Sequence, residues 1–293
     1  MARRLTGSAA LALALTFAGN AYAQDAATLK ARHNELAAAL TNNQFQRPLH
    51  LVSTDGGGKI SGDVYAIVDR PYDLVSTALK GPDAWCDVMI LHLNVKRCKA
   101  MASSAGTSQL LVDIGRKFDQ PLSEAHRFDF GYKVASHQSD YLQVLLDAPK
   151  GPLGTRDYAV QFEVVALDAT RSFVHLSYGY RYGAAAGIAM QTYLATAGSS
   201  KVGFSVVGKT DDGKPEYIGG TRGAIERNTM RYYVAIQSYL GALNAPAPQR
   251  QEKRLNDWHD GVEKFPRQLR ELERAEYLAM KRKEIQRQNA PNG

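Results

Sequence analysis

Three sets of residues in this 293-residue chain could do chemistry: its tyrosines, its seven histidines and one glycine- and lysine-bearing run. The run Gly203-Phe204-Ser205-Val206-Val207-Gly208-Lys209-Thr210 fits the phosphate-loop pattern GxxxxGK[ST] letter by letter. That chemistry needs a flexible loop leading into a helix whose N-terminus faces the phosphate. Here the supposed loop alternates and is β-branched. Asp211-Asp212-Gly213-Lys214-Pro215 follows it, placing carboxylates where phosphates would sit. The run therefore reads as a strand. The histidines (His33, His50, His92, His126, His137, His175 and His259) form no His-x-His or His-Glu-x-x-His pair, and there is no Gly-x-Ser-x-Gly elbow. The sequence names no catalytic residue, no metal ligand set and no cofactor.

What remains is a polar and aromatic group. Arg156 and Asp157 stand at the start of a strand, and Arg222, Glu226 and Arg227 in the first turns of a long helix. They read either as ion pairs that fix the helix to a sheet or as a charged anchor for the head of a mostly apolar ligand. The first is the simpler reading. Tyr132, Tyr178, Tyr180, Tyr232, Tyr233 and Tyr239 either fill a core or line a cavity with phenols free to hydrogen-bond. His175 points opposite to Leu176 and Tyr178 on its strand, so only one of the two sets can face a pocket.

These residues must be held by a sheet and a helix. Over 221–243 the apolar positions Ile225, Tyr232, Tyr233, Ile236, Tyr239, Leu240 and Leu243 make one broad helical face, with Glu226, Arg227, Arg231 and Gln237 opposite. Before it, strands are expected at 49–54 and 59–69, joined by Asp55-Gly56-Gly57-Gly58, a hairpin turn by its glycines. Further strands are expected at 109–118, 127–135, 141–147, 158–167 and 172–182, with a last one at 202–207. In the second of these, Phe128, Phe130, Tyr132 and Val134 alternate with polar or small residues. Short turns between them imply an antiparallel meander. A helix at 26–40 reads as an external one. Asp69 and Pro71 mark the start of a short helix, capped by the Asp, and a second short helix carries Trp85 and Cys86. After the proline-rich break at 244–248, Leu255, Trp258, Val262, Phe265, Leu269 and Leu272 form a seam for another helix, with Pro266 interrupting it.

Composition gives an address. Arg3 and Arg4, the apolar run SAALALALTFAG and Ala21-Tyr22-Ala23 before Gln24 have the three parts of an export signal, so residues 1–23 are expected to be removed and the protein to be periplasmic. Losing the two arginines lowers the formal charge from +7 to +5. The charges are interleaved, which gives no support to nucleic-acid binding and leaves room for a transient contact with an anionic membrane surface. Cys86 and Cys98 either form a disulfide, as close cysteines in an oxidising compartment do, or are two buried thiols.

The order hairpin, two short helices, meander, long helix resembles the helix-grip arrangement of START-like and polyketide-cyclase-like (SRPBCC) domains. VYAIVDRPYDLVSTALKGPDAW is similar to the opening of such domains: a strand, an acidic-x-Pro helix start and a Trp closing the second helix. Gly154-Thr155-Arg156-Asp157-Tyr158 resembles the Arg-Asp-aromatic opening of a central strand, and SFVHLSYGY lies where the family pairs its last strand. The resemblance covers about residues 49–243. Two features depart from it: GIAMQTYLATAG lacks the family's Gly-x-Ile/Val-Pro run, and the arm at 251–288 lies beyond the usual end. The resemblance implies an α+β fold, a curved antiparallel sheet wrapped on a long C-terminal helix. Its expected parts are a signal at 1–23, an N-terminal helix within 24–47, the domain at 48–243 and a helical arm at 244–293. It further implies a carrier for a hydrophobic small molecule, lipid, sterol-like or polyketide-like. The ligand contacts would come from Trp85, Tyr132, Arg156, Tyr178, Tyr180, Glu226 and Tyr233. Two rivals stand beside it: a cyclase or aromatase using a pocket Tyr, Glu226 or His175, and an interaction module that docks a partner or a second copy through 251–288.

Overall fold

The computed structural model describes residues 25–102, 108–184, 187–188 and 201–290. The expected signal at 1–23 lies outside them, as does most of the insertion at 184–198. The hairpin comes first, β1 (Leu49–Gly56) and β2 (Lys59–Val68), with Gly56 facing Lys59. Its two turn residues, Gly57 and Gly58, have φ of 60° and 70°, values that glycine reaches without a Cβ clash. Two short helices follow, α3 (Tyr72–Leu79) and α4 (Pro82–Met89). The cap position of α3 is Pro71 rather than Asp69. Pro82 opens α4, where its missing N–H costs nothing.

Six strands then run as a meander: β3 (Val95–Ala102), β4 (Ser108–Ile114), β5 (His126–His137), β6 (Tyr141–Lys150), β7 (Arg156–Ala166) and β8 (Ser172–Arg181). β8 returns to pair with β2, giving one eight-stranded antiparallel sheet in the order β1-β2-β8-β7-β6-β5-β4-β3. The strand expected at 202–207 does not join this sheet. β9 (Val206–Lys209) pairs only with β10 (Pro215–Tyr217), and residues 211–215 make the turn between them. Both edges of β2 are already taken by β1 and β8, so the sheet has no place for it there. With β-structure on both sides of Gly208-Lys209-Thr210, the phosphate-loop pattern has no helix to open.

The long helix α5 (Gly220–Gly241) packs against β1, β2, β8 and α4 on the inner face of the sheet. On the outer face lie α1 (Ala26–Glu35) and α2 (Ala37–Thr41), with Leu29, Leu36 and Leu40 against Tyr141, Val165 and Phe173. This sheet closed on a long helix is an α+β helix-grip fold.

The expected polar face of α5 is corrected by the structure. Glu226, Arg227 and Arg231 are buried, not solvated. The C-terminal arm, α6 (Arg250–Glu263), α7 (Pro266–Leu269) and α8 (Arg274–Asn289), covers the side that carries Arg231, while Glu226 is enclosed by β1 and residues 204–205. Leu255, Trp258, Val262 and Leu269 are buried along the expected seam, and Pro266 begins the separate α7. The Trp258 indole stacks on Tyr277 (4.6 Å between ring centres) and donates to the Arg231 carbonyl at 3.2 Å. Arg231 donates to the Leu269 carbonyl at 3.0 Å and to Glu271 at 2.8 Å. Farther along, Glu284 accepts from Lys96 (3.0 Å) and Lys281 (2.7 Å), all three fully buried. Lys281 also donates to the His92 and Val95 carbonyls, and burial pushes its ammonium down to about 8. The arm is thus joined to β3 and α5 by paired polar groups as well as apolar area.

Cys86 of α4 and Cys98 of β3 are joined in a disulfide, their Cα atoms 5.0 Å apart. Replacing Cys86 with Ser should lower unfolding stability by about 3 kcal/mol under oxidising conditions, the chain-entropy value for so short a loop. Denaturant midpoints of Cys86→Ser and wild type, with and without reductant, check this. Trp258→Ala should cost about 3–5 kcal/mol, as loss of a large core side chain does. An arm that contributes little to the core would instead leave the urea midpoint unmoved.

Candidate functional site

The inner face of the sheet is built by alternation. On β8, Val174, Leu176, Tyr178 and Tyr180 belong to the main core, while Phe173 packs with the outer helices. On β5, Phe128, Phe130 and Tyr132 face inward in the same way. From the helix side comes Tyr232. The rings meet as a connected set: Phe128 edge-on to Tyr158 (4.9 Å), Tyr158 stacked on Tyr180 (4.9 Å), Tyr178 edge-on to Tyr232 (5.6 Å) and Tyr232 stacked on His92 (4.6 Å). Such contacts fix ring orientation as well as burying area.

Beside this set lies a cavity of about 390 Å³. Phe128, Tyr158 and Tyr178 form its wall, and Arg116, Gln120, Glu124 and His126 its mouth. Gln120 is tied down where its Oε1 accepts from the Arg116 backbone N–H at 2.7 Å, while its Nε2 is buried without a partner. The side chain lies so close to Gly115 that a Cβ there would come within 2.6 Å of it. Arg116 and Glu124 pair at 3.4 Å across the mouth, both largely exposed. Two phenols, Tyr178 and Tyr132, have no hydrogen-bond partner among the described residues, and the Tyr132 oxygen is buried. Burial holds both in the neutral form: the Tyr132 hydroxyl is pushed up to about 12, and Tyr178 well above its ordinary value, with neighbouring tyrosines adding to the effect. The wall therefore offers apolar area and neutral hydrogen-bonding groups, not charge.

The seven residues expected to contact a ligand are dispersed. Tyr178 lines the cavity, with Tyr180 beside it in the ring set. Tyr132 lies farther along the inner face of β5. Trp85 is a buried wedge edge-on to Phe162, its indole donating to the Leu79 carbonyl at 2.8 Å. Arg156 is exposed and meets its own neighbour Asp157 at 3.4 Å. Tyr233 turns to the other side of α5, where its hydroxyl accepts from Arg47 (3.2 Å) and Gln237 (2.9 Å). Glu226 is fully buried as a latch. It accepts from the Ser53 hydroxyl (2.7 Å), the Phe204 N–H (2.6 Å) and the Ser205 N–H and hydroxyl (2.9 and 2.7 Å). Gln120 and Glu124 went unseen in sequence because they sit in an aperiodic connection between β4 and β5.

His175 lies across the sheet from the cavity. Its Nδ1 is 2.7 Å from Glu163 and its Nε2 2.9 Å from Asp63, with Tyr65 stacked on the ring at 4.3 Å. Tyr141 donates to the same Glu163. Burial alone would depress the imidazole, but the bonds and charges of Asp63 and Glu163 outweigh it, so His175 titrates above its ordinary range.

No helix among the described residues is long and apolar enough to cross a membrane, and none of their His, Cys, Asp and Glu side chains form a group of three suited to a metal. No protein-family model and no curated protein matches the chain. Similar solved structures include a START superfamily protein from Mycobacterium smegmatis, 13% identical over 46% of this chain and 78% of that one (TM-score 0.31). Another is the Zhui aromatase/cyclase from Streptomyces sp. R1128, 12% identical over 75% of this chain and 95% of that one (0.33). A third is the lipid transfer and protein localization domain of human StarD13, 9% identical over 46% and 71% (0.34).

Two outcomes test the geometry. Glu226→Gln should destabilise the protein by about 2–3 kcal/mol, because an amide meets four donors with its own N–H groups; equilibrium unfolding measures it. For His175 the folded state holds the proton more tightly than the unfolded one, so its contribution is complete below about pH 6.5 and fades as pH rises through the raised value. The melting temperature should fall over that rise in wild type and not in His175→Gln. Parallel pH profiles would remove the imidazole from the explanation. By strand order and by the helix it encloses, the chain has an α+β helix-grip fold.

Proposed function

We propose that the protein is an exported carrier which holds a hydrophobic small molecule in the cavity walled by Phe128, Tyr158 and Tyr178. The observation that carries this reading is an aromatic cavity of about 390 Å³ whose wall phenols, Tyr158 and Tyr178, are neutral and beside which the Gln120 Nε2 is buried without a partner among the described residues. Small-molecule sites span about 300–1,000 Å³ and combine apolar walls with a few polar groups. Binding would be sequestration, driven by apolar area removed from water at about 25 cal/mol per Å². Tyr178 and Gln120 would orient the ligand, the first through its hydroxyl and the second through the N–H group it leaves unpaired. The ligand is therefore apolar with one or two hydrogen-bonding atoms, a description that fits a sterol-like, polyketide-like or lipid molecule.

The Arg116–Glu124 pair is exposed and weak, so it can open for entry at small cost. The periplasmic address is part of the proposal. It accords with the disulfide, which persists in oxidising compartments. A cyclase would need an acid or base in the cavity. Of the groups expected for that role, Glu226 is occupied by four donors and His175 lies across the sheet, which leaves Tyr178, a neutral phenol in the cavity wall, with Glu124 and His126 at the mouth. An interaction module acting through the arm would need the seam that Trp258 and Leu255 bury within the protein.

Native mass spectrometry of protein purified from its own periplasm should find an apolar molecule bound at near-stoichiometric amount. Tyr178→Trp, which fills the cavity, should weaken uptake of a fluorescent acyl probe about tenfold or more, a loss of 1.4 kcal/mol or greater. Folded wild-type protein that is empty and takes up no apolar probe would end the carrier reading.

A further inference from the structure

A second and larger depression, of about 820 Å³, lies on the other side of α5 and shares no lining residue with the tyrosine cavity. One wall is the segment linking α2 to β1, the second is the end of β2, and the third is the junction of α6 and α7. Its apolar floor comes from Phe45, Leu240 and Phe265. Phe45 and Phe265 meet edge-on at 5.8 Å, and both touch Phe204. Three cations line it: Arg47, Arg70 and Lys264.

The charges are what set this groove apart. Among the described residues none of the three cations has an ion-pair partner, although cations elsewhere on the surface are commonly paired. Arg47 is held from behind, its guanidinium over the Tyr233 ring at 5.5 Å and bonded to the Tyr233 hydroxyl and Gln237 Oε1. Those partners are neutral, so they orient the cation without cancelling it. Among the described residues the Arg70 guanidinium donates to the carbonyl of Asp69 alone, and Lys264 is exposed. The single acid in the lining, Asp69, leaves the groove with a net charge of two positives.

The wall that carries Arg47 is also pre-set. Asn43 donates from one amide to the carbonyls of Ala39, Leu40 and Arg47 and accepts from the Phe45 N–H, which pins the turn. Gln46 is held there at φ 53°, a conformation few non-glycine residues adopt. A cationic site already ordered loses less entropy when a ligand arrives.

We propose that this groove is a second binding site, for a small amphipathic organic anion whose apolar body lies on Phe265 and Leu240 and whose carboxylate, sulfonate or phosphate meets Arg47, Arg70 and Lys264. The charge complement selects the sign of the ligand, and the aromatic floor selects a body with apolar area. Arg47, fixed by neutral partners, provides the directional contact, and the other two provide attraction screened by salt.

Isothermal titration with naphthalene-1-sulfonate tests it, with uncharged naphthalene-1-methanol as the control. Wild type should bind the sulfonate saturably, about tenfold or more tightly than the alcohol, and lose affinity as salt is raised. The double variant Arg70→Gln/Lys264→Gln, which breaks no ion pair among the described residues, should keep its melting temperature and its uptake of the acyl probe. Its affinity for the sulfonate should fall about tenfold or more. Absence of saturable binding to wild type overturns the proposal, as does equal affinity for sulfonate and alcohol. Unchanged sulfonate affinity in the double variant also overturns it, because the anion then sits elsewhere.

Discussion

Enclosure of the long helix is the constraint on which the rest depends. α5 has sheet on one side and the arm on the other, so each polar group along it must find a partner inside the protein or face a space. Glu226 collects four donors from β1 and from residues 204–205, and Arg231 reaches Leu269 and Glu271 of the arm. Tyr233 accepts from Arg47 and Gln237. Tyr232 meets the rings of Tyr178 and His92. The helix thus sorts its surroundings: Glu226, Arg231 and Tyr233 tie it to its neighbours by polar bonds, and Tyr232 joins it to the ring set beside the cavity.

The same constraint explains the charge in the arm. Two buried lysines, Lys96 and Lys281, share the one carboxylate of Glu284 and complete their bonding with backbone carbonyls at Leu93, Phe118, His92 and Val95. A buried pair of this kind contributes little net stability against an apolar replacement, but removing one member leaves a charge without its partner. Its effect is to fix where α8 sits on β3. Apolar area alone would hold the arm with less regard to register.

Much of the fold was legible in the sequence because its period is visible. Phe128, Phe130 and Tyr132 announce β5, Gly57 and Gly58 the hairpin, and Leu255, Trp258 and Val262 the seam of the arm. What periodicity does not give is what covers the other side. Arg231 reads as a solvated residue until the arm is seen to lie over it. Trp85 and Glu226 read as ligand contacts because they occupy notable places in the pattern, yet both have their polar atoms bonded within the core. The mouth residues Gln120 and Glu124, and Arg47 in the groove, sit in connections that have no period. Their roles come from the elements that converge around them, which are distant in sequence.

The return of β8 to β2 has a kinetic side. His175 and Asp63, which meet across that pair, are 112 positions apart in the chain, with the whole meander between them. The hairpin can form early from local contacts, but β2 keeps an unpaired edge until β8 has been laid down. Long-range pairing of this kind slows folding and leaves edges exposed to other chains while it waits. The arm can dock only on a helix that has itself found the closed sheet. The protein should therefore assemble from its middle strands outward, with the joining of β2 to β8 as the late and committing step.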